Sequence, residues 1–177
     1  RTAAPDGYTF LIATSGTFGV NPSLYADLPY KPLVDFKPIT NIIRGPLVIV
    51  AHPSFPASTV AELIELARRE PGKHSYASAG PGTAQHLSME LFKLMAKLDI
   101  VHIPYKGSGP AMADLLGGHV KLMMDSTASS LSAIRDGRIK ALGVTTAKRV
   151  SAPLDKVPSI GETVPGYDSA GWSGLVA

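Results

Sequence analysis

From Thr59 onward the hydrophobic positions follow two alternating periods. Thr59 with Glu62 fits a capping box, and Val60, Leu63, Ile64 and Ala67 recur on one helical face. That helix ends near Glu70-Pro71-Gly72. Short apolar runs then alternate with longer helical stretches. His74 to Ser78 reads as strand and Ala84 to Lys97 as helix. Ile100 to Pro104 reads as strand, and Pro110 to Leu116 as a helix stopped by Gly117-Gly118. Val120 to Met124 reads as strand, Ser129 to Arg135 as a helix with Gly137 at its C-cap, and Ile139 to Thr146 as strand. Strands alternating with helices of this length predict right-handed βαβ units, a parallel sheet and the α/β class.

The flanks have a different texture, rich in proline and glycine. Tyr8 to Ala13 reads as a strand started by the turn Pro5-Asp6-Gly7, followed by a polar loop, Thr14-Ser15-Gly16-Thr17. Asn21 to Tyr25 reads as a short helix, whereas Leu28-Pro29-Tyr30-Lys31-Pro32 is incompatible with regular helix. Leu47 to Ala51 is a strand closed by His52-Pro53. The segment after Lys148 returns to proline-rich coil and ends in a strand between Ser169 and Ala177.

Composition narrows the function. Apolar residues make up 45% and charged residues 18% of the 177, enough for a real core. The net charge of +3 is scattered, without the basic patch that marks a nucleic-acid partner. The absence of cysteine excludes disulfides, thiolate metal sites and thiol nucleophiles. The longest apolar run, Leu47 to Ala51, is far too short to span a membrane, so no membrane insertion is expected. No signal peptide is visible, which fits a cytosolic, a mature or a truncated chain. His52, His74 and His119 have no partner at metal-ligand spacing, and no metal or cofactor is expected. No Gly-x-Ser-x-Gly elbow and no suggestively spaced carboxylates appear, so no catalytic residue is assigned.

What remains is three small, polar loops at strand ends, the first two glycine-bearing: 79–83, 105–109 and 125–128. Ligands of open α/β sheets bind at such ends. In Ala79-Gly80-Pro81-Gly82-Thr83, the glycines let backbone approach a ligand, and Thr83 can cap the next helix, whose free amides favour an anion. A plain strand-to-helix turn fits equally well. Neither phosphate fingerprint is met. Gly82-Thr83-Ala84 lacks the lysine of a P-loop, and Gln85 stands where the dinucleotide motif needs a small residue. His86 fits either a donor to an anion or a surface or capping histidine. His102 reads as a satisfied core residue. Tyr105 and Lys106 fit a crevice wall or ordinary packing. Asp125 fits either an acceptor at the site or an N-cap.

A resemblance sharpens this picture. Pro5-Asp6-Gly7-Tyr8-Thr9, Asn21-Pro22-Ser23-Leu24-Tyr25, Leu28-Pro29-Tyr30, Asp35-Phe36-Lys37-Pro38 and Thr59-Val60-Ala61-Glu62-Leu63 occur in order. So do Pro71-Gly72-Lys73, Tyr76-Ala77-Ser78-Ala79-Gly80, Gly82-Thr83, His86-Leu87, Val101 to Ser108, Asp114 to Gly118, Met124-Asp125 and Trp172. This series, running through essentially the whole chain, resembles the solute-binding proteins of tripartite tricarboxylate transporters, the Bug or TctC-like receptors.

The resemblance implies a two-lobe, type II-like periplasmic-binding-protein fold that closes on a small organic carboxylate. Such a receptor takes a di- or tricarboxylate, an acidic amino acid or an aromatic acid, and hands it to membrane permease subunits in the periplasm. Carried over by position, Ser78, Gly80, Gly82 and Thr83 would line the second-lobe carboxylate loop, with His86 beside it. Ser15 and Thr17 would face them from the first lobe, Asp125 would lie at the cleft floor, and Trp172 would sit between lobes as ligand contact or hinge packing. The implied division is a partial first lobe over 1–47, a second lobe over 48–170 and a return strand over 171–177. Compared with the family, the chain lacks the opening strand and loop of the first lobe and its closing part. Such a piece is expected to bind weakly or not at all, and either to be disordered before about residue 48 or to associate with a second copy. The competing readings are an enzyme with a phosphorylated or nucleotide ligand at 79–83, and an effector-binding domain of a transcription regulator.

Overall fold

The computed structural model describes residues 2–4 and 6–177. Arg1 and the proline of the expected turn at 5–7 lie outside the described residues. Two sheets form among them. The larger holds β3 (Leu47–Ala51), β4 (Ser75–Ser78), β5 (Val101–Pro104), β6 (Leu122–Ser126) and β7 (Lys140–Val144), in the order β5-β4-β6-β3-β7. The smaller holds β1 (Leu11–Thr14), β2 (Pro38–Gly45) and β8 (Gly171–Val176), in the order β1-β8-β2. Two one-turn helices, α1 (Asn21–Leu24) and α2 (Pro32–Asp35), lie between β1 and β2.

The larger sheet explains why its central strand is a continuous apolar run. Leu47, Ile49 and Ala51 of β3 point to one face, and Val48 and Val50 to the other, and all five are buried. On the first face they meet α3 (Val60–Arg69) and α4 (Ala84–Ala96), through Leu63, Ile64, Met89 and Phe92. On the second they meet α5 (Ser108–Leu116) and α6 (Thr127–Arg135), through Ala111, Leu115 and Ala133. The helices between Val60 and Arg135 all fall within a few residues of expectation. Thr59 caps α3 by accepting from the Glu62 amide, while the Glu62 side chain reaches one residue further back, to the Ser58 amide.

The sheet is mixed. β4 runs parallel to β5 and β6, as the βαβ pattern predicts, but β3 is antiparallel to both β6 and β7. The whole of β2 is absent from the sequence reading. Two register irregularities against β8, at Pro38/Thr40 and Asn41/Ile43, break its inside–outside alternation. The expected polar loop at Thr14–Thr17 is instead the start of a π-helical turn, Ser15–Val20, that runs into α1. Thr14 and Thr17 cap it reciprocally, each hydroxyl accepting from the other's amide. Beyond the smaller sheet, Tyr8, Leu33 and Val34 are 89%, 84% and 77% exposed.

Gly143 of β7 marks the tightest packing of helix on sheet. A methyl group there would lie 2.6 Å from Val60 Cγ2 and 3.0 Å from Ile160 Cγ1. Gly143→Ala should therefore lower unfolding stability by about 2 kcal/mol, measured by urea denaturation, because neither β-branched neighbour has room to yield.

Candidate functional site

A cavity of about 560 Å³ opens between the two sheets. The smaller sheet side contributes Ser15, Gly16, Thr17, Tyr25 and Trp172. The larger contributes Gly82, Thr83, Ala84 and Gln85 from the start of α4, Gly107 from the start of α5, and Ser126, Thr127 and Ala128 from the start of α6. Among the described residues, no Lys, Arg, His, Asp or Glu lines this cavity.

Its electrostatics come from backbone. Thr83 caps α4 by accepting from the His86 amide, and Ser126 caps α6 by accepting from the Ser129 amide. Helix geometry leaves the first-turn amides of Ala84, Gln85 and Ala128 without intrahelical acceptors. Two partial positive helix ends thus border one uncharged, partly apolar space, an arrangement that suits a small anion.

The 79–83 loop owes its shape to its neighbours. Gly80 and Gly82 adopt φ values of +128° and +73°, which side chains with a Cβ rarely tolerate. The Thr83 hydroxyl donates to Gly80 O at 2.7 Å, the Ser78 hydroxyl accepts from the Gly80 amide at 3.1 Å, and the Gly107 amide donates to Ala79 O. The Gly82 amide donates to His86 Nδ1 at 3.2 Å. The two sides of the cavity also touch here, since a methyl group on Gly16 would lie 2.9 Å from Gly82 O.

Of the eight residues expected to bind ligand, Ser15, Thr17, Gly82 and Thr83 line the cavity. Ser78, Gly80, His86 and Asp125 do not; Gly80 belongs to the loop itself, and Ser78 and His86 support it from behind. The Thr17 hydroxyl is engaged with Thr14. Asp125 lies inside β6, not after its end, and is wholly buried beneath the cavity. Its Oδ1 accepts from the Ser108 hydroxyl at 2.7 Å, and its Oδ2 from those of Ser129 and Ser130. The N-cap role considered for it falls to Ser126. Both oxygens of the expected cleft-floor acceptor are therefore engaged by hydroxyls from the starts of α5 and α6. Tyr105 donates to Asp114 Oδ2, and Lys106 is exposed away from the cavity lining.

Sequence reasoning marked the 125–128 loop but named only Asp125 in it, and it missed Tyr25 and Gln85 as lining residues. Gln85, Ser126 and Thr127 share one signal, their position at helix starts that face the same end of the sheet, whereas Tyr25, at the C-terminal end of α1, carries none.

Behind the loop, the His102 ring is stacked between Tyr76 and His86, at 4.9 Å and 4.2 Å between centroids. His102 Nε2 is 2.7 Å from Ser78 Oγ, so His102 is hydrogen-bonded as expected, but it is half-buried on the edge strand β5 and not part of the core. The Tyr76 hydroxyl and Lys93 both converge on Glu90 Oε1 at 2.7 Å. Burial is the main cause that holds both histidines below the ordinary imidazole value, and their proximity to Lys93 adds to it.

Comparison with known proteins follows the same outline. The chain matches, over residues 1–177, the model of the tripartite tricarboxylate transporter family receptor. It is 38% identical over 177 residues to a UPF0065 protein from the tcbD-tcbE intergenic region of Pseudomonas sp. (strain P51), covering 99% of this chain and 52% of that one. Among solved structures, it is similar to R. palustris Rpa4515 with adipate, with a TM-score of 0.95 and 41% identity, covering 99% of this chain and 59% of that one. For the periplasmic binding protein BugD the values are 0.92 and 38%, with 99% and 58% covered. For MatC from Rhodopseudomonas palustris with bound malate they are 0.90 and 31%, with 99% and 60% covered. The chain thus spans about half the length of the curated relatives it matches.

The buried carboxylate gives a direct test of how the cavity floor is held. Asp125→Ala strands three hydroxyls and should cost about 3 kcal/mol in chemical denaturation. Asp125→Asn, which keeps the shape and one acceptor oxygen, should cost clearly less.

Proposed function

The chain belongs to the tripartite tricarboxylate transporter receptor family, and on that premise we propose that it binds a small organic carboxylate between its two sheets as an extracytoplasmic solute receptor. One observation carries the reading. The cavity offers first-turn amides of α4 and α6 to an anion while presenting no charged side chain among the described residues. Adipate and malate, the ligands named for two similar structures, are of the size and charge such a space suits.

In this reading, one carboxylate sits against Gly82, Thr83, Ala84 and Gln85, and the Ser126–Ala128 start of α6 completes its shell. Ser15 and Thr17 approach from the smaller sheet, and Trp172 forms the wall between. Ser78, Gly80, His86 and Asp125 serve the site from behind the lining. The lobes divide at about residue 48 and again at 171, where the chain passes from one sheet to the other. The receptor works in the periplasm and passes its ligand to the permease subunits of the transporter. The apolar side chains exposed at Tyr8, Leu33 and Val34 support association with a second copy.

The uncharged lining also orders the candidate ligands. An acidic amino acid would bring an ammonium group that no carboxylate in the lining meets, so dicarboxylates without one are favoured. Calorimetry of the chain with adipate, malate and aspartate tests this. The two dicarboxylates should bind, and aspartate at least about tenfold more weakly, equivalent to roughly 1.4 kcal/mol. No heat with any of the three overturns the receptor reading. Trp172, the single tryptophan, lines the cavity and provides a second readout by fluorescence.

Gly16→Ala should separate the 14–17 turn from Gly82 O and weaken dicarboxylate binding by about tenfold. Its melting temperature should barely change, because the new methyl group meets the rim of the cavity and not the core.

A further inference from the structure

We infer that His86 is a positioning residue whose neutral imidazole holds the 79–83 loop in its cavity-lining shape, so that a proton added to this ring, and not to its neighbour His102, releases the loop. The geometry is specific about which atom matters. The Gly82 amide donates to His86 Nδ1 at 3.2 Å. A backbone N–H only donates, so Nδ1 must keep its lone pair, and the neutral ring carries its hydrogen on Nε2. A second proton on this ring would have to go to Nδ1. That would set one N–H against another and free the Gly82 amide, whose peptide turns at a φ of +73°.

The bond matters because it joins the loop to α4 from outside the cavity. His86 follows the Thr83 cap by three residues, and its own amide donates to the Thr83 hydroxyl. That hydroxyl in turn donates to Gly80 O. One side chain thus closes a circuit through Gly82, Thr83 and Gly80, the turn that presents the α4 amides.

The second histidine behaves differently. His102 Nε2 faces the Ser78 hydroxyl, which is able either to donate or to accept. Protonation of His102 is therefore compatible with that bond once the hydroxyl turns its hydrogen toward Gly80 O, 3.4 Å away. The stacked rings are too close for both to carry charge without repulsion, so the pair takes up its first proton far more readily than its second.

The groups that face the pair set the sign. Glu90 of α4 favours the charged rings, whereas burial and Lys93 of α4 oppose them, and the balance lies below the ordinary value for both. Tyr76 of β4 stacks on His102, and its hydroxyl spends its hydrogen on Glu90. A histidine lowered in the folded state binds fewer protons than in the unfolded chain. The folded loop is then fully favoured above the ordinary histidine range, and loses stability as the pH falls below it toward the lowered value.

The inference deepens the receptor reading, but its test is made on the ligand-free chain. A nitrogen-15 titration from about pH 8 to about pH 5 follows the His86 and His102 rings together with the Gly82 amide. The Gly82 resonance is expected to move with the His86 ring, at a midpoint below the ordinary histidine value. In His86→Asn, whose side-chain oxygen accepts but does not titrate, Gly82 should stay at its high-pH position throughout. In His86→Leu it should sit near its acid position even at high pH. With adipate as the probe, the unsubstituted chain should lose about tenfold more affinity than His86→Asn over the same range, as expected if about nine loops in ten are released. A Gly82 amide that stays put while His86 titrates overturns the inference, as does a His86→Leu chain with its Gly82 in the high-pH position. If adipate never binds while Gly82 still follows His86, the positioning role stands and the receptor reading fails.

Discussion

A carboxylate with no access to water must have its oxygens occupied, and in this protein that requirement builds the floor of the cavity. Asp125 lies within β6 and is closed in by helices on one side of the sheet. Its oxygens take hydroxyls from Ser108, in the first turn of α5, and from Ser129 and Ser130, in the first turn of α6. Satisfying one buried group thereby fixes where two helices begin. The start of α6 is tied once more to the turn before β3, through the Thr127 hydroxyl and Pro46 O. The backbone at Gly107 and at Ser126 to Ala128 that faces the cavity is placed by these contacts beneath it.

The 79–83 loop repeats the same logic with different chemistry. Among the described residues, nothing charged reaches the lining. Instead Ser78, His86 and the Gly107 amide hold the loop from behind, and the glycines give it turns that no other residue takes easily. A cavity that attracts anions through helix ends has a practical advantage over one lined with lysine. Its dipoles are already oriented, and no flexible ammonium has to be ordered when ligand enters.

How far the sequence carried follows from which signals were local. The helices of the larger sheet announce themselves through period and caps, because each buries one face against β-strands that are apolar on both sides. Strand direction was less visible. A βαβ pattern says that β4, β5, β6 and β7 share one direction, and they do, but β3, which is also followed by a helix, runs against them between β6 and β7, and only the fold sets its sense. β2 escaped notice because its irregular register scrambles the alternation, and because the strand itself is largely exposed, so burial never enforced a pattern. At the site, the glycine-bearing loops stood out by composition and the family motifs placed them. Which residues line the cavity and which brace it was not readable. Asp125 and Ser126 are neighbours in one strand and both polar, yet one is sealed under three hydroxyls and the other caps a helix at the cavity wall.

In a cavity whose polarity comes from backbone, the bracing residues carry the weight. Main-chain amides are the same in every sequence, so the side chains that matter most are the ones that aim them. Ser78, His86 and Asp125 never touch the cavity, yet each sets the course of a loop that does. The lining side chains, such as Tyr25, Gln85 and Trp172, are then free to vary the shape and polarity of the space without disturbing its attraction for anions. In a fold of this design, electrostatic complementarity and shape rest on different residues, so one can change while the other is kept.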